Sequence, residues 1–159
     1  MMFRKMQRIR QQLTQEECVE ILKKEPRGVL SVLGDNGYPY GMPMNFWYDS
    51  LTGKLYFHGG KTGHKIDAIR NCDKVSFCVY DQGYRREGEW ALNIKSVIVF
   101  GRIGTVEDEN TALEISRKLS YKYTSDPDYI EEEIRKAGPA TLCLELIPEF
   151  ITGKLVNES

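Results

Sequence analysis

Apolar residues follow a helical period at the start of the chain and a strand period through its middle. Cys18, Val19, Ile21 and Leu22 lie at helical spacing between Thr14 and Pro26. Thr14 with Glu17 three residues on has the form of a capping box, and Pro26 stops the helix. From Gly28 the pattern changes. Residues 29–33 read as a strand, Gly34-Asp35-Asn36-Gly37 as a tight turn with an Asn-Gly hairpin signal, and residues 40–48 as the partner strand. Pro39 and Pro43 cannot donate to a ladder, so they mark that partner as an edge or bulged strand. Its irregular stretch 42–46 is expected to leave main-chain groups free of sheet pairing, next to apolar side chains. Such groups suit the polar edge of a flat heterocycle, and they suit an ordinary bulged edge strand as well.

Further strands are expected at 54–58 (the central strand), at 74–80, and at 93–106, the last bent at Gly101 and Gly104. A short helix is expected from Thr62 or Gly63 through Ile69, and residues 81–89 read as a polar loop. Two helices follow. Glu107, Asp108 and Glu109 open the first and Lys118 and Lys122 close it, in keeping with the helix dipole; Ala112, Ile115 and Leu119 form its buried face. Asp126-Pro127 starts the second, which buries Ile130 and Ile134 and ends at Gly138-Pro139. Residues 141–147 and 150–156 read as two last strands interrupted by Pro148. Six or seven strands with local hairpins, and helices at the margins, predict an antiparallel α+β barrel in a single domain over residues 1–159. The series lacks the βαβ alternation of a doubly wound sheet.

Composition narrows the function classes. The formal net charge of −1 argues against a dedicated nucleic-acid partner, leaving base stacking on exposed Trp47, Tyr48 and Tyr56, as on an OB-like barrel, as a distant alternative. No apolar run reaches the length of a membrane span and no signal-peptide pattern opens the chain, so a cytoplasmic protein with no membrane partner is expected. Cys18, Cys72, Cys78 and Cys143 are scattered without a CxxC pair and read as reduced thiols. His58 and His64 have no nearby cysteine, and no metal site is expected. Arg4, Lys5, Arg8 and Arg10 read as part of a frayed, solvated start. Trp90 reads as an interface aromatic or as a packing residue.

The stretch 55–69 carries the chemistry. It reads as a strand ending at His58, a turn containing Gly59, Gly60 and Gly63, and a helix start crowded by Lys61, His64 and Lys65. The helix dipole is already positive there, so these cations oppose it unless an anion sits among them. A phosphate fits that description; a solvated lysine-rich turn with Asp67 offsetting part of the charge is the other reading. The spacing matches neither the P-loop nor the dinucleotide fingerprint.

Taken in order, Gly28-Val-Leu-Ser-Val-Leu33, Gly37-Tyr-Pro-Tyr-Gly-Met-Pro-Met-Asn-Phe46, the stretch 55–69, Lys74-Val-Ser-Phe-Cys-Val79 and Ser96-Val-Ile-Val-Phe-Gly-Arg102 resemble a known family. It is the FMN-binding split-barrel family related to pyridoxamine 5′-phosphate oxidase, and within it the NimA-like branch named for nitroimidazole resistance proteins. The resemblance implies an antiparallel Greek-key split β-barrel of six to seven strands with flanking helices, and a homodimer with FMN at the subunit interface. It places the phosphate at Gly59, Lys61, His64 and Lys65, the isoalloxazine along Pro43, Met44, Asn45 and Phe46, and His58 near the flavin as the candidate catalytic group. Ser96 and Val97 would add contacts from the same or the partner subunit. The activity implied is FMN-dependent reduction or oxidation of a small electron-poor acceptor such as a nitroaromatic, with reduced nicotinamide as a candidate donor. A non-enzymatic flavin binder or redox sensor would use the same site. The ending Gly153-Lys-Leu-Val-Asn-Glu-Ser159 lacks the Arg-Leu ending of the vitamin B6 oxidases, so the resemblance does not extend to that substrate.

Overall fold

In the computed structural model, which describes residues 2–159, the strands are β1 (Arg27–Leu33), β2 (Pro39–Asn45), β3 (Trp47–Asp49), β4 (Lys54–Gly60), β5 (Lys74–Tyr80), β6 (Asn93–Thr105) and β7 (Thr141–Asn157). The helices are α1 (Gln15–Lys24), α2 (His64–Asn71), α3 (Glu109–Tyr121) and α4 (Pro127–Ala137). All seven strands join one antiparallel sheet in the order β2-β1-β5-β6-β7-β4-β3. Its two edge strands, β2 and β3, are consecutive in the chain and linked through Phe46 alone. A sheet whose opposite edges are one residue apart must curl until they meet. The result is a barrel left open along a seam where β2 faces β4 without pairing to it.

Strict alternation builds the interior. β1 turns Gly28, Leu30 and Val32 inward, and β5 turns Val75, Phe77 and Val79 inward. Phe77 meets Phe46 at 4.8 Å and Phe57 at 5.0 Å between ring centroids, both edge-on. Gly28 is required there, because a Cβ at this position would run into the Phe77 ring and lie 2.7 Å from the Cys78 carbonyl. α1 has the expected capping box, with Thr14 and Glu17 bonded reciprocally, and lays Cys18, Ile21 and Leu22 on the core. α3 covers β4 through Ile115, beside Tyr56 and Cys143.

Several expectations are corrected. Residues 40–48 are not one strand; the chain crosses from one edge of the sheet to the other at Phe46. Nor are residues 42–45 irregular: β2 runs in unbroken register with β1 from Pro39 to Asn45, and of the stretch 42–46 only Phe46 lies outside the sheet ladder. The strand at 54–58 extends to Gly60 and lies next to an edge, while β6 is central. β7 is a single strand of 17 residues rather than two. Pro148 sits where the register with β6 shifts, Phe100 pairing with Phe150 but Gly101 with Pro148, so Glu149 is the extra residue of a bulge. The opening segment is docked rather than frayed: Gln12 bridges Lys154, and Phe3 stacks on Phe150 at 5.0 Å. Tyr56 is buried, and Trp47 and Tyr48 are half-buried, so these three aromatics do not form the exposed stacking surface of the OB-like alternative.

Candidate functional site

The seam collects most of the residues singled out in the sequence. Proline has no N–H, so the pairs Pro39–Leu33 and Pro43–Val29 are positions whose main-chain groups turn away from β1. By the same parity the N–H groups of Gly41 and Asn45 and the carbonyls of Gly41, Pro43 and Asn45 point to the open side. The free groups expected around Pro43 therefore exist, supplied by an edge rather than by a bulge. Side chains divide by the same alternation. Pro43 and Asn45 are exposed on the outer surface, whereas Met44 and Phe46 point inward, Phe46 fully buried.

Across the seam, β4 ends at Gly60 and the chain enters α2 through Lys61, Thr62 and Gly63. Gly63 is the N-cap with φ at 121°, a conformation open to glycine, and no side chain caps the helix. Lys65, in the first turn, folds its ammonium back into the seam. Nζ lies 3.8 Å from Met44 Sδ, and a Cβ on Gly59 would lie only 2.7 Å from it. Glycine at 59 is what makes room for that ammonium. Desolvation holds the Lys65 pKa below the usual lysine value. Among the described residues neither Lys61 nor Lys65 takes part in an ion pair. A half-buried cation without an anion, beside uncapped helix N–H groups, is the arrangement a phosphate completes. Lys61 is exposed at the same turn.

His64 does something the sequence did not show. Its ring stacks on Tyr40 at 4.2 Å, and Nε2 accepts the Asp35 N–H at 3.2 Å, tying α2 to the β1–β2 turn. The same nitrogen lies 3.8 Å from Asp35 Oδ2. His58 keeps its ring at the surface of β4, and surrounding protein followed by the Lys65 ammonium lowers its pKa, so it is neutral at pH 7. Ser96 and Val97 do not join this group within one chain. Ser96 lies opposite Tyr80 on β6, three strands across the sheet from Asn45, roughly 14 Å at normal strand spacing. Along β6 it stands roughly 30 Å from the level of His58. Val97 is fully buried and offers no accessible side chain. Trp90 is strongly exposed, on the loop before β6.

A cavity of about 480 Å³ lies elsewhere, between α1 and the Asp81 and Lys95 side of the sheet. Glu16, Glu17, Glu20, Glu25 and Asp81 line it, which suits it poorly to a phosphate-bearing ligand. No helix is long and apolar enough to cross a membrane among the described residues.

The curled antiparallel sheet with flanking helices agrees with the comparisons. The family model of pyridoxamine 5′-phosphate oxidase matches residues 14–155. The chain belongs to that family. Among solved structures it is similar to a candidate 5-nitroimidazole antibiotic resistance protein from Bacteroides thetaiotaomicron, at 18% identity and a TM-score of 0.77, covering 92% of this chain and 87% of that one. It is also similar to an FAD-binding protein from Mesorhizobium loti (22% identity, 91% and 96% coverage, TM-score 0.65). An FAD-binding protein from Mycobacterium smegmatis matches at 21% identity, 93% and 99% coverage and a TM-score of 0.67. No curated protein sequence matches the chain. These structures share the fold, and the expected α+β split barrel agrees with them.

Proposed function

We propose that the protein is a flavoprotein that holds FMN in the seam and reduces or oxidises small electron-poor compounds, nitroaromatics among them. The observation that carries this reading is the half-buried Lys65 ammonium, without an ion-pair partner among the described residues, between Gly59 of β4 and Met44 of β2. Lys61, Lys65 and the uncapped start of α2 would take the phosphate, with Gly59 giving the clearance. The outward groups of Gly41, Pro43 and Asn45 would read the polar edge of the isoalloxazine, while Met44 and Phe46 support that edge from within. His64 ties α2 to the β1–β2 turn through Tyr40 and Asp35. Flavin, when bound, passes electrons from a reduced nicotinamide to the acceptor. His58, neutral at pH 7 and bearing one N–H and one free ring nitrogen, is the group placed to orient the cofactor or exchange a proton with a ligand in the seam.

Membership of the family supports a flavin, and the FAD-binding relatives make FAD the competing cofactor. The separation of Ser96 from the seam supports a homodimer in which a second copy brings its own Ser96 to the site. The outer face of β1, β5 and β6 offers an apolar row to that copy, with Val29 and Ile98 exposed on either side of Cys78. In this reading the enzyme works in the cytoplasm.

The test is the visible spectrum of the purified protein, chromatography of whatever is released on denaturation, and turnover with NADH or NADPH and a nitroaromatic. A flavin spectrum, FMN on release and acceptor-dependent nicotinamide oxidation support the proposal. FAD on release changes the cofactor, bound FMN without turnover with any acceptor leaves a flavin binder, and a colourless protein that takes up no flavin overturns it.

A further inference from the structure

Phe46 is the one residue that joins the two edges of the barrel, and it belongs to neither β2 nor β3. Its main-chain groups therefore lack a ladder, and its position fixes how far the free edge of β2 stands from β4. Two side chains that follow α3, 76 and 77 residues further along the chain, supply the missing partners. Phe46 N–H donates to the Tyr123 hydroxyl at 3.0 Å. Lys122 Nζ donates to the Phe46 carbonyl at 2.9 Å and lies 3.5 Å from the centre of the Phe46 ring. The Tyr123 hydroxyl oxygen lies 2.5 Å from the Pro26 carbonyl oxygen and 3.1 Å from that of Phe46, so it can donate to either and reaches the entry to β1 as well. The hinge of the seam is thus held by a ring contact, two contacts to one carbonyl and the only N–H the residue has.

We propose that Lys122 and Tyr123 are positioning residues for the seam: by clamping Phe46 they hold the Pro43–Asn45 edge at the spacing from Gly59 and Lys65 that a flavin needs. The proposal rests on the flavin reading above. It gives α3 a role in the site although α3 contributes nothing to the phosphate turn. Loss of the clamp lets β2 and β3 move relative to one another about Phe46. The ends of β2 and β4 then no longer present the main-chain edge and the ammonium at one separation, and a rigid tricyclic ring cannot satisfy both.

Lys122→Met keeps the length and apolar stem of the side chain and removes the cation. Tyr123→Phe removes only the hydroxyl. Each variant is compared with wild type by amide hydrogen exchange without flavin and by FMN titration followed through flavin fluorescence, with thermal melting to establish that both fold. The clamp predicts that Phe46 and Trp47 exchange at least about tenfold faster, Val97 and Val99 exchange unchanged, and FMN dissociation constants rise about tenfold. A residue with only a stabilising role would lower the melting temperature and leave the affinity of the folded protein alone. Wild-type binding with variants that bind equally tightly overturns the clamp and leaves the flavin reading standing, as does weaker binding with unchanged exchange at the seam. Wild-type protein that takes up no flavin overturns both.

Discussion

Gly59→Ala isolates the geometry of the proposed phosphate site without touching a charge. The added Cβ would stand 2.7 Å from Lys65 Nζ, and ordinary contact begins at 3.4 Å, so the ammonium must retreat by about 0.7 Å or swing away. It is the free end of a flexible side chain, and Gly59 has no left-handed backbone conformation, so the fold pays little. Stability should stay within about 0.5 kcal/mol of wild type. A charge-assisted hydrogen bond is worth about 1.5–3 kcal/mol, and losing it weakens binding about 10- to 150-fold. Titration of flavin-free protein with FMN measures this. Riboflavin, which has no phosphate, should bind the variant as it binds wild type. Gly60→Ala is the matched control, since nothing lies nearer to its Cβ than Thr62 O at 3.9 Å. Equal FMN affinity in Gly59→Ala and wild type, or an equal loss for FMN and riboflavin, would refute the reasoning.

Lys65→Met should raise the melting temperature or leave it unchanged, because burial already disfavours the ammonium, while weakening FMN binding at least about tenfold. Stability and FMN affinity falling together would contradict that separation. Burial lowers the Lys122 pKa from 10.5 to about 8. Between those values the unfolded chain holds the extra proton, so the contribution of Lys122 to stability is complete above about 10.5 and lost as pH falls through about 8. Urea melts of wild type and Lys122→Met across this range should show a rise with pH that the variant lacks; parallel profiles would argue against it. Gly28→Ala should cost about 1–3 kcal/mol through its collision with Phe77 and the Cys78 carbonyl, read as a lower urea midpoint with an unchanged slope. Light scattering should give a mass twice 18.3 kDa; a monomer that still binds FMN tightly would exclude a site completed by a second copy.

Much of the fold was legible because local chemistry and tertiary structure agree. The Thr14–Glu17 box, the 74–80 alternation and the Asp126-Pro127 start all appear where the residues place them. β7 was misread because a proline at a bulge and a proline at a break look alike in sequence; only the register of β6 against Phe150 and Pro148 tells them apart. The turn proposed for the phosphate stands out in sequence by the crowding of Lys61, His64 and Lys65, but the different contacts each of them makes do not. His64 is occupied by Tyr40 and Asp35, contacts set by where α2 docks, and Lys65 turns inward because residue 59 has no side chain. The seam itself is a property of strand order. Nothing local in the residues around Phe46 shows that its neighbours become opposite edges of one sheet, or that its carbonyl awaits Lys122.

The central claim is that Lys61 and Lys65 hold a flavin phosphate against the open edge of β2. Dissociation constants for FMN and riboflavin, measured on flavin-free wild type and on a Lys61→Met, Lys65→Met double variant, test it most directly. The account predicts that wild type binds FMN at least about tenfold more tightly than riboflavin, and that the double variant binds the two alike. Wild type that binds both equally, or a double variant that keeps the full preference for FMN, would contradict it.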